Sequence, residues 1–370
     1  MYRLLVFILF FSLVEPLSVH SLTRPDREFK VFQFPASMIP RIDGDTSDWS
    51  MVPDDYAIGA DELVDTVNGN PVDKKNFDVR VKVGWVKDLD RLYFLYEAYD
   101  DYWDFDMPGL GGDMFEVVVD GDLSGGTLIP RFRNDILKCG WEGRQFHGVH
   151  AQNYHIFTPA AGKQWCMPWG CQPWIAELPW SNAVCSYDFR QGESGRLVLE
   201  FWITPFDYAP YDGPGRAVVS KLAENGIIGM SWAILEKDKN KDDSKKNFAF
   251  RSLSHVTTMF GNASELLAFR LMPVEKKLLK PIEARWTFST IDLERRIVAF
   301  KDRSYGNITS WEWDFGDGTT STEQNPVHEY RGPAVDKPDD YLYQYVVSLT
   351  VGGPDGSSRF SRVWEVALKE

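Results

Sequence analysis

The chain is poor in cysteine, with four in 370 residues, and poor in basic runs. Lysine and arginine total 40 against 54 aspartates and glutamates, a formal net charge of −14. Binding a phosphate backbone or an anionic membrane needs a basic face. The one dense lysine stretch, EKDKNKDDSKK, mixes both signs and reads as a solvated turn, so nucleic acid is excluded as a partner. There is no Gly-x-Ser-x-Gly elbow, no HExxH and no phosphate loop, which removes the common hydrolase and nucleotide signatures. CxxCH is absent, so His147, His150, His155 and Met114 read as scattered residues rather than haem ligands. Paired CxxC is absent as well, which argues against structural zinc. Beyond the N-terminus no apolar run reaches the ~20 residues of a bilayer-spanning helix.

What is present begins with a targeting segment. Arg3 precedes the apolar stretch Leu4–Val14, which Glu15 and Pro16 break. Val19 and Ser21 suit the small-residue positions before a cut, so residues 1–21 read as a signal peptide and the protein as secreted or displayed at the cell surface. Four cysteines in an exported chain favour disulfides. Of the three possible pairings, Cys166–Cys171 with Cys139–Cys185 is preferred. The short loop would contribute roughly 2 kcal/mol and the long one roughly 4.

Alternation dominates the rest. Val79, Val81, Val83 and Trp85 share one face of FDVRVKVGW, and RLYFLYEAYDD is apolar on both faces, as an interior strand would be. Phe115, Val117 and Val119 alternate in DMFEVVVDGD, and Leu197, Leu199, Phe201 and Ile203 in RLVLEFWITPF. No segment shows a long amphipathic helix. Many short strands between Gly, Pro, Asp and Asn predict an all-β chain built of sandwiches. Pro273 and Pro281 bracket a charged stretch that reads as a linker over 276–282, with a small second domain over 283–370.

In that second domain WEWDFGDGTTSTEQNPVHEY places Trp311, Trp313 and Phe315 on one face, followed by a Gly316-Asp317-Gly318 turn. The segment resembles the signature of the polycystic-kidney-disease (PKD) domain. The resemblance implies an Ig-like β-sandwich acting as a spacer or an interaction module. His328 belongs to the same motif, and with Asp317 it reads as structural rather than catalytic.

Residues 22–275 carry landmarks of another kind, in order: RIDGDTSDWSMVP, RLYFLYEAYDDYW, GGDMFEVVVDGD, RFR, LEFWITPF and MFGNASELLAF. Together they resemble a family-9-type carbohydrate-binding module. The resemblance implies a β-sandwich that grips sugar, often beside calcium. In characterised members two tryptophans clamp a terminal sugar. The corresponding positions here fall at Leu110 and Ser254, while Arg133 matches an arginine of the family's sugar site. Tyr102 and Trp103, close to the first clamp position, are candidate replacements. Asp120 and Asp122, on a strand end, are the candidate calcium pair, although turns use the same composition.

Between RFR and LEFWITPF the family needs a short hairpin. Here an insertion of about 60 residues (134–195) intervenes, with every cysteine and with Trp141, Trp165, Trp169, Trp174 and Trp180. Long connections are usually functional or independently ordered. The tryptophans read either as stacking platforms for pyranose rings or as a stapled satellite core. Pro168, Gly170 and Pro173 favour Trp169 and Trp174 as the exposed ones. The sequence therefore points to a non-catalytic glycan-binding protein, as an accessory to glycan-degrading enzymes or alone. The alternative is a surface scaffold whose sandwiches contact other proteins.

Overall fold

The computed structural model describes residues 22–106, 109–129, 146–170, 172–238, 247–279, 281–331 and 342–367. The signal segment, Arg133, Cys139, Trp141 and Cys171 lie outside them. The chain divides into two compact units, Met1–Pro273 and Val274–Glu370, and both are β-structure.

In the first unit the main strands are β1 (Glu28–Phe34), β2 (Phe77–Val86), β3 (Leu92–Asp100), β4 (Met114–Asp120), β5 (Gln152–Phe157), β6 (Cys166–Pro168), β7 (Ser181–Tyr187), β8 (Gly195–Ile203), β9 (Ile227–Asp238), β10 (Asn247–Ser252) and β11 (Leu267–Leu271). One sheet runs β6-β5-β4-β9-β11-β1, with β10 beside the second half of β9. The other runs β1-β2-β3-β8-β7. Strand β1 serves both: Glu28–Val31 pairs parallel with Ala268–Leu271, and Phe32–Phe34 pairs parallel with Gly84–Val86.

The predicted alternation sets the core. Val79, Val81, Val83 and Trp85 of β2 meet Phe115, Val117 and Val119 of β4 and Leu197, Leu199, Phe201 and Ile203 of β8 in one buried cluster. Phe94 stacks on Phe201 with centroids 4.4 Å apart and planes 2° off parallel. Strand β3 is paired on both edges and buried on both faces, as its sequence predicts. Its second face is covered from residues 45–57. Trp49 packs edge-on against Phe34 and donates from Nε1 to Glu200 Oε1 at 2.9 Å, while Gly44 N donates to Glu200 Oε2 at 2.7 Å. Two landmarks far apart in sequence, Ile-Asp-Gly…Asp-Trp and the glutamate of LEFWITPF, thus meet as one buried hydrogen-bonded unit.

The insertion is not a satellite. It supplies β5 and β6 to the edge of one sheet and β7 to the edge of the other. Tyr154, Ile156, Cys166 and Ile175 belong to the main core. Among the described residues there is no disulfide: Cys166 and Cys185 are free thiols, and their expected partners Cys171 and Cys139 lie outside those residues. Cys166 sits opposite Ile156 in one sheet and Cys185 opposite Leu199 in the other. Strand pairing and core packing hold the insertion on the sandwich.

In the second unit, strands Trp286–Asp292, Ile297–Asp302 and Val327–Glu329 form one sheet. Thr320–Ser321, Ser310–Asp314, Leu342–Gly353 and Gly356–Ala367 form the other. Trp286, Phe300, Trp313, Phe315, Tyr345, Val347, Leu349 and Val351 fill the space between. Gly316 has φ +81°, and a Cβ there would lie 2.8 Å from the Val346 carbonyl oxygen, so the turn after Phe315 requires glycine. His328 stacks on Phe315 at 4.1 Å and its Nε2 lies 2.7 Å from Asp317 Oδ2. The predicted structural reading of this pair fits that packing.

Candidate functional site

Strand β4 turns Phe115, Val117 and Val119 into the sandwich, so Met114, Glu116 and Val118 face outward. Register then builds a row across four strands: His155 of β5, Glu116 of β4, Ala233 of β9 and Ser252 of β10 stand directly opposite one another in turn. His155 Nε2 lies 3.2 Å from Glu116 Oε1. Asn153 donates from Nδ2 to the same oxygen at 2.7 Å and to the Phe260 carbonyl at 3.0 Å. Glu116, Asn153 and His155 are each 5% exposed or less. Trp169 closes one side. Its ring centroid lies 5.2 Å from that of His155, and its backbone N donates to Asn153 O at 2.8 Å. Apolar side chains, among them Val118, Ile129, Phe250 and Met259, complete the wall.

Three polar atoms of this cluster are buried and have no partner among the described residues: Asn153 Oδ1, His155 Nδ1 and Trp169 Nε1. An unmet buried polar atom costs about 1–3 kcal/mol, and native structures carry few of them. An amide oxygen, an imidazole nitrogen and an indole N–H set beside an aromatic face can accept and donate to a neutral hydroxylated ligand.

The clamp positions fall around the same outward face. Leu110 packs against the apolar wall, and Ser254 is buried with Oγ 3.1 Å from Ser252 Oγ. Ile129 is part of that wall, and the His147 ring meets Trp169 edge-on; Arg133 and Trp141 lie outside the described residues. The other named tryptophans do not come here. Trp165 stacks near Tyr154 and donates to Ala176 O at 2.8 Å. Trp174 packs edge-on to Trp180 and Phe206 and donates to Pro210 O at 3.0 Å. Neither Trp169 nor Trp174 stands exposed on its loop as expected; both are half-buried, because Trp169 packs against His147 and His155 and Trp174 against Trp180 and Phe206. Trp103 is 1% exposed, stacks on Phe189 and donates to Gly195 O, so it is a core residue and not a replacement clamp. Tyr102 is half-buried with its ring against Gly192.

Asp120 and Asp122 close a turn. Asp120 accepts from Gly125 N at 2.8 Å and Ser124 N at 3.3 Å, and Asp122 accepts from Ser124 N at 3.0 Å. Burial, and the neighbouring Asp122 carboxylate, push Asp120 up from 3.8 to about 7, against the pull of the Gly125 and Ser124 amides. Among the described residues no third carboxylate, histidine or cysteine joins them. Three of their four carboxylate oxygens accept hydrogen bonds within the turn itself.

The sequence alone left His155 among scattered histidines. The signal was present in QNYHIF, where Tyr154 and Ile156 alternate with Asn153 and His155.

Residues 294–366 match the family model of the PKD domain. Among solved structures the chain is similar to the PKD1 domain of the Vibrio cholerae metalloprotease PrtV, at 29% identity over 24% of this chain and 100% of that one, with a TM-score of 0.20. It is similar to the PKD1 domain of Vibrio anguillarum Epp at 26% identity over 25% of this chain and 99% of that one, TM-score 0.20. It is also similar to a family 9 carbohydrate-binding module from Caldicellulosiruptor kristjanssonii in complex with cellotriose, at 12% identity over 69% of this chain and 98% of that one, TM-score 0.43.

Proposed function

We propose that the chain is an exported, non-catalytic glycan-binding protein. Its first unit takes a sugar residue at the outer face of β4 and β5, and its PKD domain serves as a spacer. The observation that carries this reading is the buried Glu116–Asn153–His155 cluster beside Trp169, with three polar atoms unpartnered among the described residues. Glu116 holds the Asn153 amide, Trp169 offers an aromatic edge, and the three unmet atoms choose the hydroxyl pattern. The clamp tryptophans are absent, so the polar cluster carries more of the recognition than in the family the sequence resembles.

Affinity-gel electrophoresis of the full chain against soluble and insoluble polysaccharides, with calcium and with chelator, tests this. Retardation that disappears in Glu116→Gln and in Trp169→Ala is expected. No retardation on any polysaccharide would overturn it.

One observation favours a second reading, a surface scaffold. The PKD unit leaves Ile291, Leu293 and Val327 about three-fifths exposed, at 59%, 61% and 60%. A stable protein partner that soluble sugars fail to compete away would favour it.

A further inference from the structure

Further along β9 the side chains alternate back between the sheets, and a different polar site forms there. Arg251 of β10 donates from Nε to Glu236 Oε2 at 2.5 Å, and both side chains are more than nine-tenths buried, at 7% and 5% exposed. Asn76 donates from Nδ2 to Glu236 Oε1 at 2.6 Å. The guanidinium carbon sits 5.6 Å from the Phe77 ring centroid. Asp65, 1% exposed, accepts from the Val67 and Asn68 amides and from Asn68 Nδ2. Asp65, Asn68, Asn76, Glu236 and Arg251, with Asn70 and Phe248, line a pocket of about 270 Å³ that opens to solvent.

Arg251 lines that pocket, and its Nη1 is buried with no partner among the described residues. A guanidinium donor in such a place needs an acceptor oxygen. The ligand's charge follows from the lining. One arginine stands against two buried carboxylates, so a carboxylate, phosphate or sulfate would enter a net negative site. A metal cation would meet the guanidinium and find carboxylate oxygens already bonded to Asn76, Arg251 and Asn68. A neutral ligand remains. It must offer an oxygen to Nη1, hydroxyl protons to the spare lone pairs of Glu236 and Asp65, and a C–H face to the half-buried Phe248 ring.

We propose that this pocket is a second ligand site, separate from the outer face of β4, and that it takes a single neutral polyhydroxylated ring such as a monosaccharide unit. It does not depend on the outer-face site. The test follows the Arg251 Nε–H and Asn76 side-chain amide signals of the full chain by NMR. The probes are methyl α-glucoside, methyl α-mannoside, methyl β-galactoside and myo-inositol at millimolar concentration, with sodium sulfate as the anionic probe. A saturable shift with at least one neutral probe, and none with sulfate beyond a sodium chloride control, is expected. Asn70→Trp, at the exposed mouth, should weaken that response at least about tenfold without changing the melting temperature or the polysaccharide retardation. Glu116→Gln should leave it intact. No saturable shift with any neutral probe, a saturable shift with sulfate, or a response that survives Asn70→Trp overturns the proposal. Because the two variants report on different sites, failure here is distinguishable from failure of the outer-face reading.

Discussion

His155 and Glu116 stand directly opposite each other on β5 and β4, with Nε2 and Oε1 3.2 Å apart, and Asn153 shares that oxygen. Removing the carboxylate strands two buried groups at once. Glu116→Ala should cost about 1–3 kcal/mol in urea denaturation, and Glu116→Gln less. A double-mutant cycle with His155→Ala should recover part of the loss. Strict additivity of the two single variants would show that the pair does not interact.

The turn at Asp120 makes stability depend on pH. Its folded value of about 7 lies above its ordinary 3.8, so the native state holds the proton more tightly. The stabilising contribution is complete below about pH 4 and is lost as pH rises through about 7. This group's contribution to stability should therefore fall by up to about 4 kcal/mol between pH 4 and 8, read as a falling melting temperature. Asp120→Asn should flatten the decline, and Asp122→Asn should soften it by removing the neighbouring charge. An equally steep decline in Asp120→Asn would refute the assignment.

Cys166 and Cys185 should behave as sheltered thiols. Burial pushes Cys166 well up and Cys185 up to about 12, so neither presents thiolate near neutral pH. Mass mapping after iodoacetamide, without reductant, should find both unmodified in the native protein and both alkylated after guanidinium. Failure to alkylate Cys166 or Cys185 in denaturant would place them in disulfides after all.

Trp49 and Glu200 hold the N-terminal cover on β8. Burial raises the Glu200 carboxyl, and the Trp49 and Gly44 donors act against that rise. Trp49→Phe keeps most of the packing and deletes the indole N–H, which should cost about 1–3 kcal/mol in chemical denaturation. A neutral result would mean that Glu200 finds another donor.

This pair also shows what could be read from the sequence. Both residues lie in recognisable landmarks, but nothing in the sequence says that they touch. The strands with strong alternation, such as Val79 to Trp85, were legible because their bulky apolar side chains fall on one side, and a two-residue period leaves no other register that turns them all into the core. Strand β7 was not. SNAVCSY has little apolar alternation, since an edge strand held by backbone bonds to β8 needs little. The cysteines and tryptophans around it suggested a stapled island, whereas Tyr154, Ile156 and Cys166 join the main core. The outer-face site was half legible. QNYHIF showed its polar face, but the row from His155 to Ser252 depends on register among four strands, which only the fold supplies.

The first strand has a consequence for how this unit is made. Its leading half pairs with β11 and its trailing half with β2. A chain emerging from the ribosome therefore presents β1 long before one of its two neighbours exists. Until Leu267–Leu271 follows, Glu28–Val31 lacks its strand partner and Phe29 and Val31 lack Phe269 and Leu271 beside them. Cooperative closure of the sandwich must wait for nearly the whole unit to be synthesised. A pulse-labelled truncation ending before Leu267 should stay protease-sensitive in residues 28–34, and one ending beyond Pro273 should become resistant.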